Sequence, residues 1–260
     1  MLAKDYVEAL AARGRYHFTS SEAREAMGTS AAATKLALNR LRRQGLLAMP
    51  ARGFYVIVPP EYRSLGCLPA EQFIPALMVE KGLPYYAGLL SAAQYYGAAH
   101  HRPQAFQVFL RGNRRPLACG KVRVDFIARK RIHDVPVRKF NTPRGEIRVS
   151  SPEATAIDLA GYPQHAGGLD QVATVLAELA ETMDGALLPE AAATAPLPWA
   201  QRLGYLLDLV EAGFVTGPLK DYVQERARLY TPLVPGQVST KAERNPDWRV
   251  IVNAAVEPES

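Results

Sequence analysis

Apolar residues recur with a helical period from the start of the chain, where Leu2, Tyr6, Ala9 and Leu10 predict a helix ending near Arg13-Gly14. The stretch from Thr19 to Val58, TSSEAREAMGTSAAATKLALNRLRRQGLLAMPARGFYVIV, then reads as two capped helices, a tight turn and a returning strand pair. Ser20 or Ser21 is placed to cap the first helix, Ala23, Ala26 and Met27 lie close to one face of it, and Gly28 supplies the turn. Ser30 starts the second helix, which ends at Gly45. On a wheel, Thr34, Ala37, Leu38 and Leu41 share one arc, and Lys35, Asn39, Arg40, Arg42 and Arg43 share the other, with Leu36 among them. A strand over 46–49, a turn over 50–53 with Arg52 at its tip, and a strand over 54–58 complete a winged helix-turn-helix.

The turn-rich sequence 59–69 sets a boundary near residue 65, giving domains 1–65 and 66–260. A short helix is expected over 72–80 and a small-residue helix over 86–97, with Leu89, Ala93 and Tyr96 on one side. Four segments of strand character follow at 105–110, 122–128, 135–140 and 146–149, and their short connections favour antiparallel pairing. Ser151-Pro152-Glu153 opens a helix to about Ala160. Helices over 169–183 and 199–212, another after Gly217-Pro218, and a final strand in 247–253 joining the sheet finish the chain. The fold class is α+β: an N-terminal winged helix-turn-helix, then a larger mixed domain with a mainly antiparallel sheet and several helices.

Charge sharpens this division. The chain carries a net +6, and residues 1–60 hold nine Lys or Arg against four Asp or Glu, so nearly all of the excess lies in the winged-helix segment, as a nucleic-acid footprint requires. Three small residues, Ala31, Ala32 and Ala33, let the start of the second helix approach base edges closely. The candidate DNA-binding residues are therefore Ser30, Lys35, Asn39, Arg40, Arg42, Arg43 and Arg52. A second basic tract, Arg111, Arg114, Arg115, Lys121, Arg123, Arg129, Lys130 and Arg131, contains only Asp125 as an acid. It reads either as charged hairpin loops protecting a sheet edge or as a surface for a partner or nucleic acid.

Other chemistries find little support. Cys67 and Cys119 are far apart in sequence, with no companion at metal-ligand spacing, and read as buried free thiols in a reduced compartment. No apolar run reaches the length of a membrane span and the N-terminus lacks a signal-peptide core, which places the chain in the cytoplasm. No phosphate-binding loop, dinucleotide fingerprint, nucleophile elbow or zinc-protease motif occurs, so neither a cofactor, a metal nor a catalytic residue is assigned. His100-His101 reads as loop. Two alternatives remain at this stage: a metal-dependent nuclease built on Asp125, with Glu153 and Asp158, and a protein-binding module whose winged helix does not touch DNA. The first lacks the acid-x-lysine element expected on the following strand, Val135 to Phe140.

Several stretches together resemble one family, the AbiEi antitoxins of type IV toxin-antitoxin systems. They are YYAGLLSAAQYYGAAH from Tyr85 to His100, Thr142-Pro143-Arg144-Gly145, VSSPEATAIDL from Val149 to Leu159, the run Gly168 to Glu178, QRLGYLLD from Gln201 to Asp208, and the tail Trp248 to Asn253. The resemblance implies an N-terminal winged helix that represses its own operon. It also implies a C-terminal domain that counteracts a nucleotidyltransferase-like toxin on a separate chain, and a part in phage resistance. The Gly-Ser and Asp-x-Asp/Glu elements of nucleotidyltransferases are missing here, which puts this chain on the antitoxin side. Operator DNA and the toxin are the implied partners, without implying that toxin and antitoxin touch.

Overall fold

The computed structural model describes residues 1–98, 103–237 and 242–258, and the His100-His101 loop expectation falls outside them. The winged helix forms as the pattern predicts. It comprises α1 (Ala3–Ala12), β1 (His17–Thr19), α2 (Ser20–Met27), α3 (Ala31–Arg43), β2 (Leu47–Ala51) and β3 (Phe54–Ile57), with the strands ordered β1-β3-β2. Strand β1 was missed because three residues are too few to show a period of two. Pro50 sits in β2, an edge strand of this sheet that shifts register between Ala48 and Ala51, so its missing N–H costs no central ladder bond.

The core of this segment joins Tyr6, Val7 and Leu10 to Phe18, Ala23, Leu38, Leu41, Leu47, Tyr55 and Ile57. Phe18 is its centre, edge-on to Tyr6 at 5.3 Å and stacked on Tyr55 at 5.5 Å. Two expected core positions of α1, Leu2 and Ala9, are exposed, and so is Ala26 of α2. Val7 takes their place in α1, since the buried face follows Tyr6, Val7 and Leu10.

Next come α4 (Ala70–Glu80), β4 (Tyr85–Ala87) and α5 (Leu89–Ala93), so the expected single helix over 86–97 begins as a strand and ends in a 3-10 turn at Gln94–Tyr96. Strands β5 (Phe106–Leu110), β6 (Leu117–Cys119), β7 (Val122–Ala128), β8 (Val137–Thr142) and β9 (Gly145–Ser150) follow, and the strand order is β6-β7-β5-β4-β9-β8. The sheet is mixed. Strands β5 and β7 are parallel, Phe106 opposite Val124 through Leu110 opposite Ala128, because the short β6 returns the chain antiparallel to β7. Strands β4 and β9 are also parallel, so short connections misled the inference of antiparallel neighbours.

Two compact units divide the chain, and their division differs from the expected break near residue 65. The first holds residues 1–86, 104–130 and 139–148; the second holds residues 87–103, 131–138 and 149–260. Within the first, the Lys121 N–H donates to Leu65 O at 2.8 Å. A Cβ placed on Gly120 would lie 2.3 Å from Leu65 O and 2.7 Å from the Gly66 carbonyl carbon, and φ there is +58°. The chain leaving the winged helix is thus bound to the β6–β7 turn, and the contact needs glycine.

The second unit is built on helices α6 (Pro152–Gly161), α7 (Leu169–Leu179), α8 (Leu188–Ala193), α9 (Leu197–Leu209) and α10 (Gly217–Arg226). Every residue of α6 from Pro152 to Ala160 is buried. Ser151 caps it by accepting from the Ala154 N–H, while Glu153, 1% exposed, accepts the Asp184 N–H at 2.9 Å. Instead of joining the larger sheet, the tail forms its own, ordered β10-β12-β11, from β10 (Thr231–Pro232), β11 (Glu243–Asn245) and β12 (Val250–Val252). Helix α9 holds it: Gln201 Nε2 donates to the carbonyls of Leu229, Trp248 and Arg249, and Arg202 Nε donates to Pro232 O at 2.9 Å. Trp248, fully buried, donates its indole N–H to Asp208 at 2.5 Å and lies flat over Gly204.

That last contact makes a prediction. A Cβ on Gly204 would lie 2.1 Å from the Trp248 ring, so Gly204→Ala is expected to destabilise the protein by about 1–3 kcal/mol. Gly112→Ala, where a Cβ meets open space, is expected to be neutral. Urea denaturation followed by tryptophan fluorescence checks both, and equal midpoints for the two variants would refute the packing argument.

Candidate nucleic-acid interface

Helix α2 is capped by Thr19 in place of the expected Ser20 or Ser21. The Glu22 N–H donates to Thr19 Oγ1 at 3.2 Å and the Thr19 N–H donates back to Glu22 Oε2 at 2.6 Å, a reciprocal box one residue upstream of the reading. Arg15 adds an ion pair to the same carboxylate. Burial alone would raise the Glu22 pKa; the hydrogen bonds from Arg15 and Thr19 outweigh it and hold the carboxyl below its usual range. The hydroxyls of Ser20 and Ser21 are therefore not needed for the cap. They line a concavity of about 690 Å³ with Arg24, Ala31, Lys35 and Arg52, floored by Thr34, Leu38, Met49 and Tyr55.

This groove lies between the start of α3 and the wing. Gly28, with φ +64°, turns the chain out of α2, and Ser30 caps α3 by accepting the Ala33 N–H at 3.2 Å. Ala31, Ala32 and Ala33 are all exposed, so no side chain beyond a methyl stands between the α3 backbone and an approaching duplex. Leu36 is 71% exposed and takes no part in the core, which leaves it available to a thymine methyl.

The seven residues singled out from the sequence do not converge on one spot. Lys35 and Arg52 share the groove, and Ser30 serves the cap. Asn39, Arg42 and Arg43 instead line a second concavity of about 590 Å³ with Leu47, Ala48 and Met49, closed by Gly66, Ala118, Cys119 and Gly120. There Arg42 Nη1 donates to Asn39 Oδ1 at 3.3 Å. Arg40 is exposed and lines neither. Arg24 in the groove was missed, because on a wheel of so short a helix its charge looks like any solvated position.

The second basic tract is also divided. Arg111, Arg115, Lys121, Arg123 and Lys130 are exposed, and Arg114 lies over the Phe126 ring at 5.6 Å. Arg129 is only 3% exposed, which removes it from any surface. Arg123 Nη1 donates to Gly120 O at 2.8 Å and so braces the β6–β7 turn. Arg131 belongs to the second unit, where it pairs with Asp134 at 2.9 Å and donates to Ala193 O at 2.7 Å.

The nuclease alternative finds no assembled site. Asp125 is half-buried in β7 opposite Gln107, while Glu153 and Asp158 are enclosed in the second unit. Among the described residues no three His, Cys, Asp or Glu side chains cluster closely enough to hold a metal ion. No helix among them is long and apolar enough to cross a membrane.

The family described as "Transcriptional regulator, AbiEi antitoxin" matches residues 5–58, and "AbiEi antitoxin C-terminal domain" matches residues 86–209. No curated protein matches the chain. Among solved structures, the RV2827C protein from Mycobacterium tuberculosis is similar with a TM-score of 0.69 at 19% identity, over 96% of this chain and 90% of that one, a likeness of fold.

The titrating groups beside α2 predict an acid-labile winged helix. Burial, and then Arg15, lower the His17 pKa, so the unfolded chain binds more protons and stability falls as pH drops through the ordinary imidazole value of about 6.5. The depressed Glu22 adds a second loss, full stability being present above the ordinary carboxylate pKa and lost as pH falls through the folded value. Thermal melts of the full chain across pH 4–8 are expected to show the first decline in the native protein and not in His17→Gln. An unchanged decline in that variant would assign the loss elsewhere.

Proposed function

Because this chain belongs to the AbiEi antitoxin family of type IV toxin-antitoxin systems, we propose that it is a DNA-binding autorepressor which also counteracts a nucleotidyltransferase-like toxin carried on a separate chain. The observation that carries the DNA half is the groove lined by Ser20, Ser21, Arg24, Lys35 and Arg52 beside the bare start of α3, inside the segment matched as a transcriptional regulator. Serine hydroxyls and cationic tips suit phosphate oxygens, and the exposed alanines suit close entry into a major groove. Lys35 reads bases from inside the groove, and Arg52 at the wing tip grips phosphate. Arg42 and Arg43, held beside Asn39, anchor the flanking backbone. The antitoxin half belongs to the domain matched over 86–209, and the exposed members of the basic tract, Arg111, Arg115, Lys121, Arg123 and Lys130, are its candidate contact surface for a partner or nucleic acid. We read the protein as a regulator acting in the cytoplasm by binding, with no catalytic step of its own.

The test is binding of the full chain to duplex DNA from upstream of its own gene. The log of the affinity is expected to fall linearly with log salt, by about 0.9 for each phosphate neutralised, and Arg52→Ala to lower that slope by about 1 on any sequence. Lys35→Ala is expected to cost operator preference over random DNA by about 1–3 kcal/mol. Asn39→Ala frees Arg42 and is expected to weaken both duplexes alike. Affinity independent of salt would remove DNA binding from the function and leave a protein-binding module.

A second measurement separates the two halves. With the toxin and this chain on separate inducible promoters, a Lys35→Ala chain is expected to rescue growth fully while failing to repress its promoter. Charge reversal at Arg111, Arg115 and Lys130 is expected to impair rescue, with melting temperature little changed because exposed substitutions shift stability by only about 0.5 kcal/mol. Full rescue by the charge-reversed chain would remove the tract from toxin neutralisation.

A further inference from the structure

Cys67 and Cys119, far apart in sequence, meet in the fold. The segment Leu65-Gly66-Cys67 runs alongside Cys119-Gly120-Lys121 in the opposite direction: the Lys121 N–H donates to Leu65 O at 2.8 Å, and a Cβ on Gly66 would lie 3.2 Å from Gly120 Cα. Cys67 and Cys119 are the residues that flank this close approach of Gly66 and Gly120, and their two thiols are close enough to hydrogen-bond to each other. A disulfide needs cysteines whose side chains face one another, and a thiol pair already in hydrogen-bond contact meets that condition. Both thiols are reduced and buried, Cys67 completely, whereas Cys119 forms part of the wall of the concavity shared with Asn39, Arg42 and Arg43.

We propose that Cys67 and Cys119 form an oxidisable dithiol, in which Cys119 is the thiol oxidised from the concavity and Cys67 resolves it to an intramolecular disulfide. Access assigns the roles: Cys119 lines the concavity, whereas Cys67 is fully enclosed behind it. The Cys67 S–H donates to Cys119 and holds the latter below the usual thiol range against the opposing effect of burial, helped by the Met49 backbone and the Arg42 charge. Cys67 is pushed up correspondingly and keeps its proton. The thiolate is the reacting form, so Cys119 goes first. With a hydroperoxide as oxidant, the Cys119 thiolate attacks the outer oxygen, the O–O bond breaks, and a sulfenic acid and hydroxide (for hydrogen peroxide) result. Cys67, losing its proton to that hydroxide, attacks the sulfenic sulfur and expels a second hydroxide, which takes up a proton from solvent as water. Two thiols are oxidised, one peroxide is reduced, and the sulfur–sulfur bond forms.

The test treats the reduced, folded full chain with hydrogen peroxide, blocks remaining thiols by alkylation, and reads mass without reductant. The expected product is a monomer lighter by two hydrogens that yields a peptide pair linking Cys67 to Cys119. In Cys67→Ser, a sulfenic acid trapped by dimedone is expected at Cys119; in Cys119→Ser, no adduct is expected at Cys67. Sulfinic or sulfonic acid at Cys119 of the native chain, a disulfide between two molecules, or dimedone labelling of Cys67 in Cys119→Ser would each overturn the proposal. So would folded protein that resists peroxide while its denatured form oxidises.

Discussion

At Gly66 and Gly120 two backbones come so close that neither residue could carry a side chain without displacing the other. Much of the first compact unit depends on this approach. It binds the exit of the winged helix to the β6–β7 turn through the Leu65 carbonyl, which gathers residues 104–130 with the winged helix. It also brings Ala118 and Cys119 beside Arg42 and Arg43 at the end of α3. Glycine is a steric requirement at position 120 and a close fit at 66, and φ is positive at both.

The second unit solves a different problem, since its central helices are buried on nearly all sides. Helix α6 carries Glu153, Thr155 and Asp158 inside the core, and α9 carries Gln201 and Arg202. Such groups are tolerated when hydrogen-bond partners meet them. Glu153 accepts from the Asp184 N–H, Ser150 and Thr155 share a hydrogen bond of 2.6 Å, and Gln201 and Arg202 donate into the tail. These bonds name their partners individually, which apolar contacts do not, and they fix where the tail must lie.

Much of this could be read from residues alone, for identifiable reasons. The winged helix was legible because its helices are amphipathic and its turns carry glycine, as were α7, with Val172, Val175, Leu176 and Leu179 inside, and the Ser151 cap. What escaped depends on contacts distant in sequence. Parallel pairing of β5 and β7 hinges on a three-residue return strand, and the separate sheet of the tail on donors of α9. In the interface, the charge of the α3 face was legible, but its partition into two concavities, like the meeting of Cys67 with Cys119, is set by what β6 brings alongside. Arg129 carried the same charge as its neighbours, and only the fold shows that it is enclosed.

The hold of α9 on the tail has a consequence for the order in which the protein comes into being. A ribosome delivers the chain from its N-terminus, and domains generally fold as they emerge. The apolar core of the winged helix is complete once Ile57 has been made, whereas Gln201, Arg202 and Gly204 wait for Thr231, Pro232 and finally Trp248. The apolar core of the winged helix can thus assemble well before the last residues that close the second unit have been made.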